Sequence, residues 1–125
     1  SDLLTVMKAT AEGKLAETEV KWRDGNACCV VLASRGYPTK YEKGFSLTLP
    51  KTKENEYIYV AGAAMEDGVL KTNGGRVVGA TVVADTLESA IAGAYDLAGR
   101  IHFDNAYCRS DIGQRALAAG KGGNR

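Results

Sequence analysis

Strand-like patterning fills the middle of this chain and constrains its fold more than any other sequence feature. From residue 20 to residue 84 the apolar residues either alternate with polar ones or form short runs, and glycine-containing turns separate these segments. Helical spacing of apolar residues appears only before and after this region. Because strands and helices do not alternate, a parallel doubly wound sheet is excluded. The pattern predicts an α+β fold, a β-rich barrel-sandwich-like domain with flanking helices.

The individual elements follow from this periodicity and from the turn residues. Ser1 is predicted to cap a first helix, and Asp85 and Glu88 have the spacing of a capping box for a second helix over residues 85–101. The run 28–33 is continuously apolar, which predicts a strand with both faces covered. The remaining predictions are strands over residues 20–23, 27–34, 45–49, 57–64, 69–72 and 76–84, a helical turn over 111–117, and a disordered tail over 118–125.

Composition limits the size of the fold and the class of partner. With 125 residues, of which 45% are apolar, the chain can bury one core without disulfides, and we assign residues 1–117 to one domain. A net charge of +1 provides no field for nucleic acid, and the apolar runs are too short to span a membrane. We therefore predict no nucleic-acid or membrane partner. An odd number of cysteines and the absence of a secretory signal predict a reduced, cytoplasmic protein.

Few residues could carry metal or nucleophile chemistry. His102 is the only histidine, so this chain cannot assemble a histidine-rich metal site by itself. Cys28 and Cys29 are neighbours on a predicted strand and therefore point to opposite faces, so they cannot hold one ion together. We predict neither a catalytic residue nor a metal ligand in this chain.

Basic and glycine-rich loops are the remaining candidates for binding an anion. The loop over residues 73–79 could direct the Arg76 guanidinium and the backbone N–H groups of Gly74 and Gly75 at a phosphate. On spacing alone, a hairpin turn with a surface arginine explains this loop better. The loop over residues 36–44 could similarly present Lys40 or Lys43, and packing of its aromatic residues and proline is the simpler explanation. Residues 109–113 could place Arg109 in a cleft or form only an ion pair and a helix cap.

Several segments, taken together, resemble one family. Their order and spacing are similar to those of the C-terminal domain of phosphoribosylamine–glycine ligase, also called glycinamide ribonucleotide synthetase, of the ATP-grasp superfamily. Residues 1–16 resemble the helix that leaves the preceding ATP-grasp domain, and Thr39 stands where this family usually has glycine. The segments that carry the resemblance are residues 29–38, 41–44, 61–64, 73–79, 85–90, 101–103 and 109–113.

The resemblance implies a role within a larger enzyme. Members of the family join 5-phosphoribosylamine to glycine in purine biosynthesis, using ATP and Mg²⁺, through an acyl phosphate of glycine. Their ATP-binding subdomains and metal ligands lie upstream of the part that this chain matches. We therefore expect its partners to be the N-terminal and ATP-grasp domains, and we expect the isolated chain to bind no cofactor and to be inactive. By the same resemblance, Arg76 with Gly74 and Gly75 becomes the candidate for the substrate phosphate, with Lys43 as second choice.

Two other classes of protein remain open on sequence alone. Biotinyl and lipoyl carriers are also sandwiches of short strands, but they display a lysine at a hairpin tip, where the turn over residues 64–68 has acidic residues. A non-catalytic binding or interaction module of barrel-sandwich type differs from the ligase domain only in whether a ligand binds near Arg76.

Overall fold

A computed structural model describes residues 1–121 and shows an α+β domain. Helix α1 covers Leu3–Ala11, a single 3₁₀ turn covers Leu15–Glu17, and the long helix α2 covers Leu87–Gly99. Helix α3 covers Gln114–Lys121. The strands are β1 (Asn26–Ser34), β2 (Glu56–Val60), β3 (Ala63–Glu66), β4 (Val69–Thr72), β5 (Arg76–Ala84) and β6 (Ala106–Tyr107).

The strands form two antiparallel sheets. The larger sheet has the order β2-β5-β1-β6, and β3 pairs with β4 in a separate two-stranded sheet. Strand β5 crosses the centre of the larger sheet and pairs with β1 from Ala84 to Arg76, with a bulge near its first residues. The α+β prediction is confirmed, and the described strands form open sheets rather than a closed barrel.

The core lies between α2 and one face of the larger sheet. Alternate residues of β1 and β5, including Val30 and Ala80, are buried against the apolar stripe of α2, in which Leu97 is fully buried. This stripe has the helical spacing expected for a helix with one buried side. The buried members of α2 are Ala90, Ile91, Ala94, Leu97 and Ala98.

The opposite face of the larger sheet has no helix over it within residues 1–121. Val31 is 42% exposed and Tyr59 is 60% exposed, and Cys29 is exposed as well. The prediction that both faces of the run 28–33 are covered is therefore wrong for this chain, because α2 packs on one side only. We term this surface the open face and define it by Cys29, Val31, Tyr57, Tyr59, Thr81 and Val83, which share one side by strand register.

Three predicted strands differ from the structure because their pairing partners lie elsewhere. Residues 20–23 form no strand, because Ser1 takes up the backbone hydrogen-bonding groups of Lys21. The Ser1 ammonium donates to the Lys21 carbonyl at 2.6 Å, and the Lys21 N–H donates to the Ser1 hydroxyl at 2.6 Å. Trp22 is 90% exposed. The segment 45–49 makes only isolated bridges, from Ser46 to Lys71 and from Thr48 to His102. The predicted strand 57–64 is two strands, because the chain turns at residues 61–62 to enter the second sheet.

The helices begin and end at residues other than those predicted. The first helix is capped by Asp2, whose carboxylate accepts from the backbone N–H of Thr5 at 2.9 Å, and not by Ser1. Thr86 caps α2 by accepting from the N–H of Ser89, so the predicted capping box of Asp85 and Glu88 does not form. The helical turn predicted over residues 111–117 begins at residue 114 instead. Residues 118–121, which were predicted to belong to the disordered tail, are part of α3. Residues 122–125 of that predicted tail lie outside the described part of the chain.

A charged contact joins the start of β2 to the end of α2. The Arg100 guanidinium donates to the Glu56 carboxylate and also lies 3.3 Å from Asp96. The hydrogen bond from Arg100, and then the backbone N–H of Lys53, lower the pKa of Glu56 below its usual range. The folded state therefore binds the Glu56 proton less readily than the unfolded chain does.

This contact predicts an acid-dependent loss of stability. Because the folded pKa is depressed, the contribution of Glu56 is complete above its unfolded pKa of about 4.3 and is lost as the pH falls through the folded pKa. Glu56→Gln should lower the urea midpoint at neutral pH and flatten its decline toward about pH 3. The matched control is Asp111→Asn, which removes the exposed Arg109–Asp111 pair and should change the midpoint little. Equal pH profiles for wild type and Glu56→Gln would contradict the assignment.

Candidate functional site

The turn at residues 73–75 connects the two sheets and is held by the backbone around it. Ser34, at the end of β1, is fully buried and contacts the turn twice. Its N–H donates to the Gly75 carbonyl at 2.8 Å and its hydroxyl donates to the Gly74 carbonyl at 3.1 Å. The N–H of Asn73 donates to the Gly62 carbonyl at 2.8 Å. The turn is therefore a fixed link from β4 to β5, and not the hairpin turn considered from sequence.

Close packing explains why glycine occupies both turn positions. A Cβ on Gly75 would lie 2.0 Å from the Tyr37 ring, and a Cβ on Gly74 would lie 2.9 Å from the Cα of Gly62. Neither distance is compatible with a side chain at the glycine. The N–H groups of Gly74 and Gly75 have no hydrogen-bond acceptor among residues 1–121, but Gly75 is buried beneath Tyr37.

Arg76 begins β5 and lines an open cleft of about 380 Å³ at one end of the open face. Arg76 is exposed and forms no ion pair with any residue that the structure describes. A guanidinium without a carboxylate partner is free to bind a phosphate or carboxylate. The other residues lining this cleft are Val31, Ala33, Tyr37, Pro38, Tyr107, Cys108 and Arg109.

Arg109 brings a second guanidinium to the same cleft, but this one is already paired. Its Nε and Nη2 donate to the two carboxylate oxygens of Asp111 at 2.9 and 2.7 Å. These hydrogen bonds raise the pKa of Arg109 and lower the pKa of Asp111. The Tyr95 hydroxyl fixes the segment by donating to the Arg109 carbonyl at 2.7 Å and accepting from the N–H of Ile112 at 3.0 Å. The simpler prediction of an ion pair is confirmed, and Arg109 also faces the cleft.

The two lysines considered from sequence do not line the Arg76 cleft. The Lys43 ammonium lies 6.0 Å from the centre of the Tyr41 ring, within the range of a cation–π contact. Lys40 borders a different, shallower opening together with Arg35 and Asn105. The structure therefore does not bring Lys43 together with Arg76.

Metal and thiol chemistry finds little support among the described residues. Residues 1–121 contain no group of three or more His, Cys, Asp or Glu side chains placed to hold a metal ion. All three cysteines are free thiols, and burial, followed by the neighbouring Cys29, raises the pKa of Cys28. Cys28 is buried and Cys29 is exposed, which confirms that they point to opposite faces. His102 borders a shallow opening with Ser46 and Thr48 and is not among the residues lining the Arg76 cleft.

Sequence reasoning missed the residues that shape this site. Tyr37 lies over Gly75, Tyr107 forms a wall of the cleft, and Ser34 anchors the turn. Tyr37 and Ser34 lie in the segment that carries the family resemblance, but nothing local indicates that they contact a turn some 40 residues away.

None of the helices within residues 1–121 combines the length and apolar character needed to cross a bilayer.

The fold and the cleft define an α+β domain in which, over residues 1–121, an arginine at a strand end has no ion-pair partner and one face of the larger sheet is not covered by a helix. The chain belongs to the family described as phosphoribosylglycinamide synthetase, C domain, whose match covers residues 27–115. This confirms the family inferred from the sequence. Within the relatives that it resembles, the matched part is C-terminal.

Individual relatives agree with this assignment. The phosphoribosylamine–glycine ligase of Agrobacterium fabrum is 42% identical over 122 residues, which are 97% of this chain and 29% of that protein. The ligase of Clostridium acetobutylicum is 42% identical over 114 residues, 91% of this chain and 27% of that protein. The crystal structure of the Thermotoga maritima ligase is similar with a TM-score of 0.70 at 41% identity, over 84% of this chain and 26% of that one. This chain therefore spans less than a third of the length of these relatives.

Proposed function

We propose that this chain is the C-terminal part of an ATP-dependent enzyme that joins phosphoribosylamine to glycine in purine biosynthesis. The observation that carries the proposal is the family match over residues 27–115, together with relatives that are named as this ligase. We further propose a cytoplasmic location, in keeping with the three free thiols.

Within that enzyme we propose that this chain closes the substrate side of the cleft and that Arg76 binds the phosphate of phosphoribosylamine. Arg76 has no carboxylate partner among the described residues, and the adjacent N–H groups of Gly74 and Gly75 have no acceptor there, so a shift of Tyr37 would let them donate to the same anion. The contacts from Ser34 hold this turn rigidly. Donors fixed in advance stabilise a bound anion without a cost for reorganising them. Lys43 would act from outside the Arg76 cleft, so we keep it only as a distant contributor.

ATP and Mg²⁺ would be held by other domains of the enzyme. The carboxylates of residues 1–121 do not converge on a point where a metal ion could bind, so the residues present do not fit a magnesium site. The contribution of this chain is accordingly to bind and orient the substrate phosphate, and the ATP-dependent activation of glycine would occur on residues of the preceding domains.

The test is an activity assay of the complete protein and of this chain alone. The complete protein should release phosphate only when ATP, Mg²⁺, glycine and phosphoribosylamine are all present. The isolated chain should release none above background, because no residue set within 1–121 can hold the metal. Turnover by the isolated chain would refute the assignment of catalysis to the other domains, and an inactive complete protein would refute the proposed reaction.

The carrier alternative finds no support at the hairpin tip. The turn between β3 and β4 is made by Asp67 and Gly68, both with positive φ, and neither can accept a biotinyl or lipoyl group. Lys71 lies on β4 and forms an ion pair with Glu66 at 3.2 Å. The interaction-module alternative has one observation in its favour, the open face of the larger sheet.

A further inference from the structure

The order of the strands brings a second guanidinium, that of Arg109, to the cleft that Arg76 lines. Ala33 on β1 pairs with Arg76 on one side and with Tyr107 on the other. The backbones at residues 76 and 107 are therefore two strand spacings apart, roughly 10 Å. Arg109 follows Tyr107 by two residues, and both side chains line the same cleft as Arg76. Two arginine side chains can reach one anion from opposite sides of such a gap.

The backbone that carries Arg109 is fixed to α2 at two points. The Tyr95 hydroxyl donates to the Arg109 carbonyl at 2.7 Å and accepts from the N–H of Ile112 at 3.0 Å. Gly113 has a positive φ of 84°, and a Cβ there would lie 2.3 Å from the end of the Ile91 side chain. Ile112 itself packs against the core. The segment therefore cannot move away from the cleft without losing its contacts with α2.

Asp111 fixes the orientation of the Arg109 guanidinium. The Nε and Nη2 of Arg109 donate to the two carboxylate oxygens of Asp111 at 2.9 and 2.7 Å, which uses two of the five N–H donors of the guanidinium. The Nη1 group has no acceptor within the part of the chain that the structure describes. Both side chains are exposed, and an exposed ion pair contributes little to the free energy of unfolding. The pair therefore has the geometry of an oriented binding group rather than of a stabilising contact.

We propose that Arg109 binds the same substrate phosphate as Arg76, and that Asp111 and Tyr95 are positioning residues that hold Arg109 for this contact. The inference rests on the proposed function, which supplies the identity of the substrate as a sugar phosphomonoester. The three terminal oxygens of such a phosphate accept more hydrogen bonds than the two parallel ones that a single guanidinium donates. A cleft volume of about 380 Å³ is also within the range of small-molecule sites.

Binding of ribose 5-phosphate to the complete ligase tests this proposal without turnover. A titration followed by ³¹P NMR gives a dissociation constant for the wild type and for each variant. Arg109→Ala and Arg76→Ala should each weaken binding roughly tenfold or more, the effect of losing one charge-assisted contact. Arg35→Ala is the matched control and should leave the dissociation constant unchanged, because Arg35 is also exposed but borders a different opening.

The positioning residues have a separate signature in double variants. Asp111→Asn and Tyr95→Phe should each weaken binding about 2- to 10-fold when Arg109 is present. Neither should have an effect when Arg109 is already alanine, because both residues act only through Arg109. An effect that persists in the Arg109→Ala background would show a structural role and refute the positioning. Tighter binding by Asp111→Asn would show that the carboxylate competes with the phosphate, and would refute it as well.

The remaining outcomes decide whether the two arginines share one phosphate. A wild-type ligase that does not bind ribose 5-phosphate overturns the proposal. The same holds if Arg109→Ala binds as tightly as the wild type, or if only one of the two arginine variants weakens binding. Failure of the proposed reaction would give a different result, since binding would still depend on both arginines in a protein that releases no phosphate with all substrates present.

Discussion

Arg76→Ala in the complete ligase should raise the KM for phosphoribosylamine far more than the KM for ATP or glycine. Arg76 begins β5 at the edge of an open cleft, and its guanidinium has no carboxylate partner among the described residues. A charge-assisted contact to a phosphate contributes about 1.5–3 kcal/mol. The corresponding loss in kcat/KM for phosphoribosylamine is roughly 10- to 150-fold. Steady-state kinetics with each substrate varied in turn measures this difference.

Two further variants define what the arginine does. Arg76→Lys should recover only part of the loss, because an ammonium cannot reproduce the two parallel hydrogen bonds of a guanidinium. Arg115→Ala is the matched control, since Arg115 is also exposed but lies on α3 and does not line the cleft. The turn should keep its structure in every case because Ser34 holds its carbonyls. If Arg76→Ala leaves kcat and all three KM values within about twofold, Arg76 is a surface residue without a role in binding.

Gly62→Ala should destabilise this domain by about 1–3 kcal/mol, the usual cost of forcing extra volume into a packed site. An added Cβ would lie 2.3 Å from the Arg76 carbonyl oxygen and 2.9 Å from the Cα of Gly74. Both neighbours are backbone atoms, so the added Cβ fits only if the backbone at residue 62 moves away from the backbone at residues 74–76. Urea unfolding of wild type and variant should show a lower midpoint with the same slope.

The same substitution at a different glycine provides the control. Gly99 is the last residue of α2, and a Cβ there meets nothing within 4 Å. Gly99→Ala should therefore stabilise the domain by about 0.4–1 kcal/mol, by restricting the unfolded chain. In the complete ligase, Gly62→Ala should also raise the KM for phosphoribosylamine, because the added Cβ pushes on the backbone of Arg76. Equal stability of Gly62→Ala and wild type would show that residue 62 packs less closely on residues 74–76 than the structure indicates.

Local periodicity was sufficient to identify most elements of this domain. The strand predicted over residues 76–84 has the bounds observed for β5, and the apolar stripe of α2 was read correctly from its spacing. Both depend on side-chain repeats that follow from the backbone geometry of one segment. The family was also accessible from the sequence, because its motifs are ordered residue types that need no coordinates. The candidate Arg76 came from that resemblance together with its position after two glycines.

Pairing and packing between distant segments were decided only by the tertiary structure. Residues 20–23 have the alternation of a strand but pair with no strand, because Ser1 takes up the backbone N–H and carbonyl of Lys21. Likewise, nothing local shows that Gly62 crosses Gly74 or that Tyr37 lies over Gly75. The continuous apolar run of β1 predicted burial on both sides, yet within residues 1–121 only α2 covers it, and Cys29 and Val31 on the other side are exposed. The periodicity of a segment shows which of its side chains tend to be buried, whereas contacts between distant segments determine which residues bury them.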